Sequence, residues 1–311
     1  MKWDHAIKLI HKLREEPVEQ PGTASQALNG RAGRLRSSRA ASLCVASGKG
    51  GTGKSVVAAS LAKLFSTRGR TLIVDADMGV GNAHILQDVS PERSFVDIAG
   101  GRCSVEDAMV SCGAGLDLIG AGSGVSRMAS LSHYEMHLIA TGLEGLDVRY
   151  VYTLVDSAAG ISEQTLSFAV SCDLVLVVTT PDPTAMTDAY AFIKVLFGRR
   201  PDACPLLLVN RVLDDLEGAR VAERIGQVCL KFLAHDPRWL GSIPEDRAVL
   251  RSVSARRPLV DFDPGSDPAL AVHALSVPLL HELERRAHPG LGASLLRTVG
   301  FAASAPDRFG R

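Results

Sequence analysis

The stretch that decides the fold reads Ser47-Gly48-Lys49-Gly50-Gly51-Thr52-Gly53-Lys54-Ser55. It fits the pattern G-x-x-x-x-G-K-[ST], which forms a phosphate-binding loop when a strand precedes it and a helix follows it. An apolar run at 43–46 precedes the loop, and residues 53–68 have helical periodicity. Glycines let backbone N–H groups turn toward a phosphate, and the helix start adds the positive end of its dipole. The stretch therefore predicts a nucleotide-binding site.

Two side chains of this loop have defined roles in such a site. Lys54 is expected to reach the β- and γ-phosphates, and the hydroxyl of Ser55 is expected to ligate Mg²⁺. The predicted nucleotide-binding residues of this segment are Gly48, Lys49, Gly50, Gly51, Thr52, Gly53, Lys54, Ser55 and Val56.

The rest of the chain alternates short apolar runs with helical stretches. Candidate strands are residues 43–46, 71–74, 116–119, 150–155, 174–178, 206–209 and 240–243. Helical stretches include residues 53–68, 161–170, 184–197, 217–233 and 268–286. Strands of nearly continuous Val, Leu and Ile are typical of a sheet that is buried on both faces. The predicted fold is therefore α/β, a mostly parallel sheet flanked by helices, as in P-loop nucleoside triphosphatases.

Composition limits the class of protein. The 311 residues include 34 Lys+Arg and 34 Asp+Glu, so the formal net charge is zero. This balance argues against a protein that coats nucleic acid by charge, and no sequence-specific nucleic acid is expected as a partner. Six widely spaced cysteines without a C-x-x-C favour a reducing cytoplasm over a disulfide framework. No apolar run approaches the length of a membrane span, and the first 16 residues lack the features of a secretory signal.

Acidic residues follow two of the candidate strands, at the edge where a parallel sheet binds its ligands. Asp75 and Asp77 follow strand 71–74 and project to one side of an extended chain because they are two apart. Asp156 follows strand 150–155, as in a Walker B motif whose Asp reaches Mg²⁺ through water. We predict Ser55, Asp75 and Asp156 as the Mg²⁺-binding residues. An ordinary strand-ending turn at 75–77 is the alternative interpretation.

Lys49, a second lysine inside the loop, makes the sequence similar to the deviant Walker A ATPases of the MinD/ParA family. In that family the extra lysine reaches across a dimer interface to the partner's nucleotide. The resemblance therefore implies an ATP-bound homodimer and catalytic roles for Lys49 and Lys54. It also implies that Asp77, in switch I, positions the attacking water. Switch II would contain Asp156 and Gly160, whose backbone approaches the γ-phosphate.

Two further strand ends are candidates for binding the base. Asn210 and Arg211 follow strand 206–209, and a side-chain amide can pair with the donor and acceptor edge of adenine. Members of the family contact the base with an Asn at this position. Pro244 and Asp246 resemble the P-x-D loop that flanks the base in the same family. A plain turn Asn is the alternative. Because the N-K-x-D pattern typical of guanine recognition is missing after residue 209, ATP with Mg²⁺ is favoured over GTP.

The run Thr180-Pro181-Asp182-Pro183-Thr184-Ala185 resembles the FlhG (FleN, YlxH) branch of the family, ATPases that set flagellar number. The resemblance extends over about residues 43–286 and implies slow, regulatory ATP hydrolysis. It also implies a role in flagellar number or placement, with flagellar basal-body proteins as partners. The alternative is a ParA- or MinD-like ATPase for DNA or cargo partitioning or for division-site placement. A cobyrinate-type amidoligase shares the loop but needs a glutaminase domain, for which this chain is too short.

The first 16 residues resemble a partner-binding element of the same branch. Asp4, His5, Ala6 and Leu9 lie in a short helical pattern that is similar to the FlhG motif D-Q-A-x-x-L-R. That motif contacts the signal-recognition-type GTPase FlhF, so the resemblance implies an FlhF-like partner. His5 stands in place of Gln, and Ile10 in place of Arg. A helix that merely packs on the core is the alternative.

The predicted domain organisation has two flexible or peripheral segments around the ATPase domain of residues 43–287. Residues 17–42, rich in Gly, Ser, Ala, Gln and Arg, predict a flexible linker, whose arginines are either solvated or contact an acidic surface. Residues 288–311 form a C-terminal tail with an apolar stripe. MinD and FlhG typically end in a membrane-targeting helix, so the tail is a candidate for weak membrane binding. It has few basic residues, and its glycines weaken a helix. The expected location is cytoplasmic, with peripheral contact at the inner face of the plasma membrane.

Overall fold

The computed structural model describes residues 39–78, 81–122, 131–286 and 288–304, without the side chains of 301–304. The motif of Asp4, His5, Ala6 and Leu9 and most of the predicted linker lie outside the described residues. The first strand begins at Ala41, inside the predicted linker, so the linker boundary at residue 42 is corrected to residue 40.

Within the described residues, eight strands form one sheet. They are β1 (Ala41–Ser47), β2 (Thr71–Ala76), β3 (Met109–Ser111), β4 (Leu116–Ile119), β5 (Tyr152–Ala159), β6 (Leu174–Thr179), β7 (Leu206–Val212) and β8 (Arg238–Pro244). The strand order is β3-β4-β2-β5-β1-β6-β7-β8. β3 and β4 are antiparallel, and every other neighbouring pair is parallel. The predicted mostly parallel sheet is confirmed, with one short antiparallel edge strand added.

Helices connect and cover these strands. They are α1 (Lys54–Ser66), α2 (Ala83–Leu86), α3 (Phe95–Ala99), α4 (His133–Leu146), α5 (Glu163–Ser171), α6 (Pro183–Arg199), α7 (Asp215–Leu233), α8 (Arg247–Ser254), α9 (Leu259–Phe262), α10 (Asp267–Glu284) and α11 (Leu291–Ser304). Helical crossovers between parallel strands place helices on the faces of such a sheet. Among the described helices, none combines the length and the apolar run that crossing a bilayer requires.

The sheet is buried on both faces, which explains its continuous apolar strands. All seven residues of β1 are buried. Leu43 and Val45 belong to the apolar cluster on one face, whereas Cys44 and Ala46 belong to the cluster on the other face. Because both sides of each strand need apolar side chains, the alternation expected of a half-exposed strand is missing.

The C-terminal segment differs from the prediction of a separate tail. Its residues form α11, which packs on α4 and α5, and Leu291, Leu295 and Val299 are buried in the core. Gly292 allows this close approach, because a Cβ there would lie 2.0 Å from the backbone nitrogen of Glu144. The apolar stripe predicted as a membrane-binding surface is therefore occupied by intramolecular packing, and α11 belongs to the same compact unit as the sheet.

Candidate functional site

The predicted phosphate loop joins the carboxyl end of β1 to the start of α1, as the motif requires. A Cβ at Gly48 would lie 2.1 Å from the backbone oxygen of Asp188 in α6, so only glycine fits there. A Cβ at Gly50 or Gly51 would meet no atom within 4 Å. The loop is thus packed against α6 at its beginning and open at its middle, where a phosphate would approach.

A cavity of about 460 Å³ opens beside the loop. Its walls are the loop itself, the segment between β6 and α6, and the segments that follow β7 and β8. The lining residues are Lys49, Gly50, Gly51, Thr52, Thr180, Pro181, Asp182, Ala185, Arg211, Leu213, Glu217 and Glu245. The cavity therefore lies where the sequence places the nucleotide, at the carboxyl edge of the parallel strands.

Lys54 is held by the predicted Walker B carboxylate. Its Nζ lies 2.8 Å from Oδ1 of Asp156 and 3.4 Å from Oγ of Ser55. The Lys54 and Asp156 side chains are only 8% and 1% exposed. The lysine predicted to bind phosphate and two predicted Mg²⁺ ligands are therefore brought together in one largely buried cluster.

This cluster fits the ligand preferences of Mg²⁺. Among the described residues, no group of three or more His, Cys, Asp and Glu side chains is placed to hold a metal ion. Mg²⁺ usually takes only one or two protein carboxylates and completes its shell with waters and substrate phosphates. A hydroxyl at Ser55 and a carboxylate at Asp156, next to a phosphate loop, match that donor set.

Asp75 is fully buried and lies opposite Asp156 in the register of β2 and β5. Its carboxyl accepts the backbone N–H of Asp77 at 3.2 Å and that of Ala83 at 3.0 Å. Burial, together with the nearby charge of Asp156, raises its pKa to about 8. Asp75 therefore fixes the segment after β2 through backbone hydrogen bonds, and its assignment as a Mg²⁺ ligand stays a prediction. Asp77 follows the strand end and is partly exposed.

Lys49 points to the start of α6. Its Nζ lies 3.3 Å from Oδ2 of Asp182 and also donates a hydrogen bond to Oγ1 of Thr184. Asp182 caps α6 by accepting the backbone N–H of Thr184 at 2.7 Å. The pKa of Asp182 is lowered to about 2, chiefly by the Thr184 hydrogen bonds and additionally by Lys49. Because Lys49 and Asp182 are both substantially exposed, this lysine is accessible from the cavity side.

The predicted switch II residue Gly160 lies beside the phosphate loop. β5 continues through Ala159, and Gly160 follows with φ of 89°. Its backbone N–H donates to the carbonyl oxygen of Ser47 at 2.9 Å. The predicted switch II is therefore hydrogen-bonded to Ser47, the last residue of β1, directly before the loop.

Of the predicted base-binding residues, Asn210 and Arg211 lie next to the phosphate loop. The amide Nδ2 of Asn210 donates to the carbonyl oxygen of Thr52 at 2.8 Å, and Asn210 is only 8% exposed. Arg211 lines the cavity and pairs with Glu245 at 2.9 Å. Pro244 ends β8. Asp246 caps α8 by accepting the backbone N–H of Ala248 at 2.6 Å, so part of its carboxylate is engaged away from a base.

Sequence reasoning missed several cavity-lining residues. Leu213 and Glu217 have no motif around them, and their position depends on how the chain turns between β7 and α7. Glu245 is the middle residue of the predicted P-x-D loop, but it was not predicted to line the site. Asp182 was predicted only as part of the run typical of the FlhG branch, although its carboxylate contacts Lys49.

Comparisons with known proteins agree with this geometry. The model of the CobQ/CobB/MinD/ParA nucleotide binding domain matches residues 43–259. The antiactivator FleN of Pseudomonas aeruginosa is 31% identical over 235 residues, covering 75% of this chain and 84% of FleN. The flagellum site-determining protein YlxH of Helicobacter pylori is 30% identical over 244 residues, covering 78% of this chain and 82% of YlxH.

Solved structures support the same fold. The cell division ATPase MinD of Pyrococcus furiosus superposes with a TM-score of 0.66 at 22% identity, over 78% of this chain and 98% of that one. MinD of Pyrococcus horikoshii, determined with Mg-ADP, superposes with a TM-score of 0.65 at 21% identity, over 77% of this chain and 96% of that one. The resemblance inferred from the two lysines of the loop is confirmed. The chain belongs to the CobQ/CobB/MinD/ParA nucleotide-binding family and is homologous, within it, to FleN and YlxH.

Proposed function

We propose that this protein is an ATP-dependent, dimerising switch ATPase that controls flagellar number or placement. The observation that carries the proposal is the contact between Lys49 and the start of α6. It joins the lysine typical of the dimerising ATPases to Asp182 and Thr184, two residues of the run that resembles the FlhG branch. The names of its relatives, an antiactivator and a flagellum site-determining protein, support the same assignment.

The cluster of Lys54, Ser55 and Asp156 supports separate roles for these residues in slow ATP hydrolysis. Lys54, with the backbone N–H groups of the loop, binds the β- and γ-phosphates, while Ser55 and Asp156 hold Mg²⁺. The ion supplies charge stabilisation for the transferred phosphoryl group. Asp77 orients the attacking water, and Lys49 reaches the nucleotide of a second subunit. Because Lys54 is already paired with Asp156, it would have to leave this ion pair to contact a phosphate.

The partners follow from the resemblance of the first residues. Asp4, His5, Ala6 and Leu9 contact an FlhF-like GTPase, and basal-body proteins are further partners. The protein acts in the cytoplasm, with transient contact to the membrane surface. Such contact by α11 requires it to leave its packing site on α4, since its apolar residues are buried there.

Complementation in Pseudomonas aeruginosa lacking FleN tests this function. The chain is expressed in that strain, flagella are counted by electron microscopy, and the Lys54→Ala variant serves as the matched control. Restoration of the wild-type number by the chain, and not by the variant, is expected. Purified protein that binds non-specific DNA with ATP, together with unchanged flagellation, favours a partitioning ATPase instead. Co-purification with FlhF and basal-body proteins identifies the partners.

A further inference from the structure

We infer that Asn210 is a positioning residue for the phosphate loop, in addition to any contact that it makes with a base. Its side chain crosses from the end of β7 to the loop and donates from Nδ2 to the carbonyl oxygen of Thr52 at 2.8 Å. A Cβ at the next loop residue, Gly53, would lie 2.2 Å from the same nitrogen. The amide thus fills the space against two consecutive loop residues, directly before Lys54.

The hydrogen bond from Asn210 to Thr52 lies where it can affect phosphate binding. The peptide that includes the Thr52 carbonyl also includes the N–H of Gly53, one of the loop donors. Gly53 has φ of 86° and precedes α1, whose first residue is Lys54. A hydrogen bond to this carbonyl therefore fixes the orientation of a peptide whose other side faces the phosphate region. Asn210 is 8% exposed, so a carbonyl left without its donor would be poorly solvated.

The backbone around Asn210 is distorted in a way that serves this contact. The register of β7 and β8 shifts between Asn210 and Val212, and Arg211 in between has φ of 60°. An arginine in the left-handed region is unfavourable and persists where surrounding structure requires it. The bulge keeps Asn210 and Val212 buried while Arg211 is exposed and pairs with Glu245. Bulges of this kind re-aim side chains near functional sites.

This arrangement couples the two ends of the nucleotide site. One hydrogen of Nδ2 is used by Thr52, which leaves the second hydrogen and Oδ1 for a base. A residue that only contacts the base affects ligands that have a base. A residue that positions the loop affects every ligand with a polyphosphate. The inference rests on nucleotide binding at this loop, which is part of the proposed function, and is independent of the flagellar role.

Binding of Mg²⁺-tripolyphosphate, a ligand without a base, separates the two roles. We compare wild type, Asn210→Leu and Arg211→Ala by calorimetry with Mg²⁺-ATP and with Mg²⁺-tripolyphosphate. Leu is close to Asn in shape, uncharged and without a donor, so Asn210→Leu is expected to weaken both ligands by about tenfold, the scale of one lost buried hydrogen bond. Arg211→Ala, a contrast on the base side, is expected to weaken ATP more than tripolyphosphate. Unchanged tripolyphosphate binding by Asn210→Leu overturns the positioning role. If wild type binds neither ligand, the proposed nucleotide function itself fails.

A measurement on the unaltered chain covers the case in which Asn210→Leu does not fold. The sequence contains three asparagines, Asn29, Asn82 and Asn210. Selective ¹⁵N-Asn labelling therefore gives three side-chain amide pairs, which can be assigned by substituting Asn29 and Asn82. One hydrogen of Asn210 is expected to exchange at least about tenfold more slowly than those of the exposed Asn82, and its signal should shift when tripolyphosphate binds. Fast exchange of both Asn210 hydrogens, or no shift with tripolyphosphate, contradicts the inference.

Discussion

The ammonium of Lys54 lies 2.8 Å from a carboxylate oxygen of Asp156, and both side chains are almost completely buried. The pair links the phosphate loop after β1 to the Walker B position on β5, two adjacent strands of the sheet. A buried ion pair gives modest net stability, but removing one partner leaves an uncompensated buried charge. The lysine predicted to bind phosphate therefore also balances the charge of the buried Asp156.

Replacing Lys54 with Ala is expected to abolish ATP binding and to lower the free energy of unfolding by about 3–5 kcal/mol, because Asp156 loses its counter-ion. Urea unfolding and calorimetry measure the two effects. The double variant Lys54→Met with Asp156→Asn, which removes both charges, should recover most of the stability and none of the binding. A Lys54→Ala protein as stable as wild type shows that the pair does not contribute to folding.

Replacing Lys49 with Ala is expected to spare ATP binding by the monomer and to prevent ATP-dependent dimerisation, since the proposed target of this lysine lies on the other subunit. Light scattering with Mg²⁺-ATP measures the mass. Asp182→Asn is the matched control: it removes the charge that Lys49 contacts but keeps a good helix cap, and it should still dimerise. Dimers of Lys49→Ala at the wild-type ATP concentration rule out the cross-subunit role.

Replacing Asp77 with Ala is expected to trap an ATP-bound dimer. A carboxylate that orients water acts on the transition state more than on the bound ground state, so turnover should fall by at least about a hundredfold. Nucleotide affinity should stay nearly unchanged. Phosphate release and equilibrium binding measure the two quantities. If affinity falls together with turnover, Asp77 belongs to the Mg²⁺ site instead.

Acidity is expected to stabilise the folded protein through Asp147, a buried carboxyl beside α11. Asp147 accepts the backbone N–H groups of Gly292 and Ala293, and burial raises its pKa from 3.8 to about 6. Between these values the folded protein binds more protons than the unfolded chain, so stability falls as pH rises from about 4 to about 6. The slope from this group reaches up to about 1.4 kcal/mol per pH unit.

Urea unfolding across this pH range, with Asp147→Asn as the reference, isolates that slope. The stability of wild type relative to the variant should decrease as pH rises from about 4 to about 6. A relative stability that increases with pH means that the charged carboxylate is favoured, and the assignment of the raised pKa is then wrong.

A peptide of residues 1–16 is expected to be mostly unstructured in water, because isolated helices of this length are marginal. It should gain helical circular dichroism with GTP-bound FlhF and raise FlhF's GTP hydrolysis, although His5 in place of Gln reduces the effect. Removing residues 1–16 should leave ATP binding and dimerisation intact. A truncated protein that unfolds or fails to dimerise shows that this segment belongs to the core.

Sequence patterns predicted the central strands and the loop because each depends on local chemistry. Leu43 and Val45 mark a buried strand, and glycines with Lys54 mark a phosphate loop. β3 was missed because three residues at an edge give no periodic signal. α11 was missed because glycines count against a helix locally, whereas Gly292 is required for close packing against α4. Tertiary packing overrides helix propensity here.

The sequence predicted which residues belong to the site better than it predicted which of them contact each other. The sequence places Asp75 and Asp156 at strand ends, but only the register of β2 and β5 sets them side by side. Burial and the nearby charge of Asp156 then raise the pKa of Asp75, which no motif indicates. Likewise, the partner of Lys49 is 133 residues away in sequence, at Asp182.

The direction in which β1 runs has a consequence for the assembly of a dimer. Arg39 precedes this strand, and the phosphate loop follows it, so the seven residues of β1 separate them by about 20 Å. In a dimer joined at the phosphate loops, the two starting points of β1 therefore lie toward its outer ends. Such a dimer would carry two copies of the segment that precedes β1, and a partner that itself pairs would gain avidity from that bivalence.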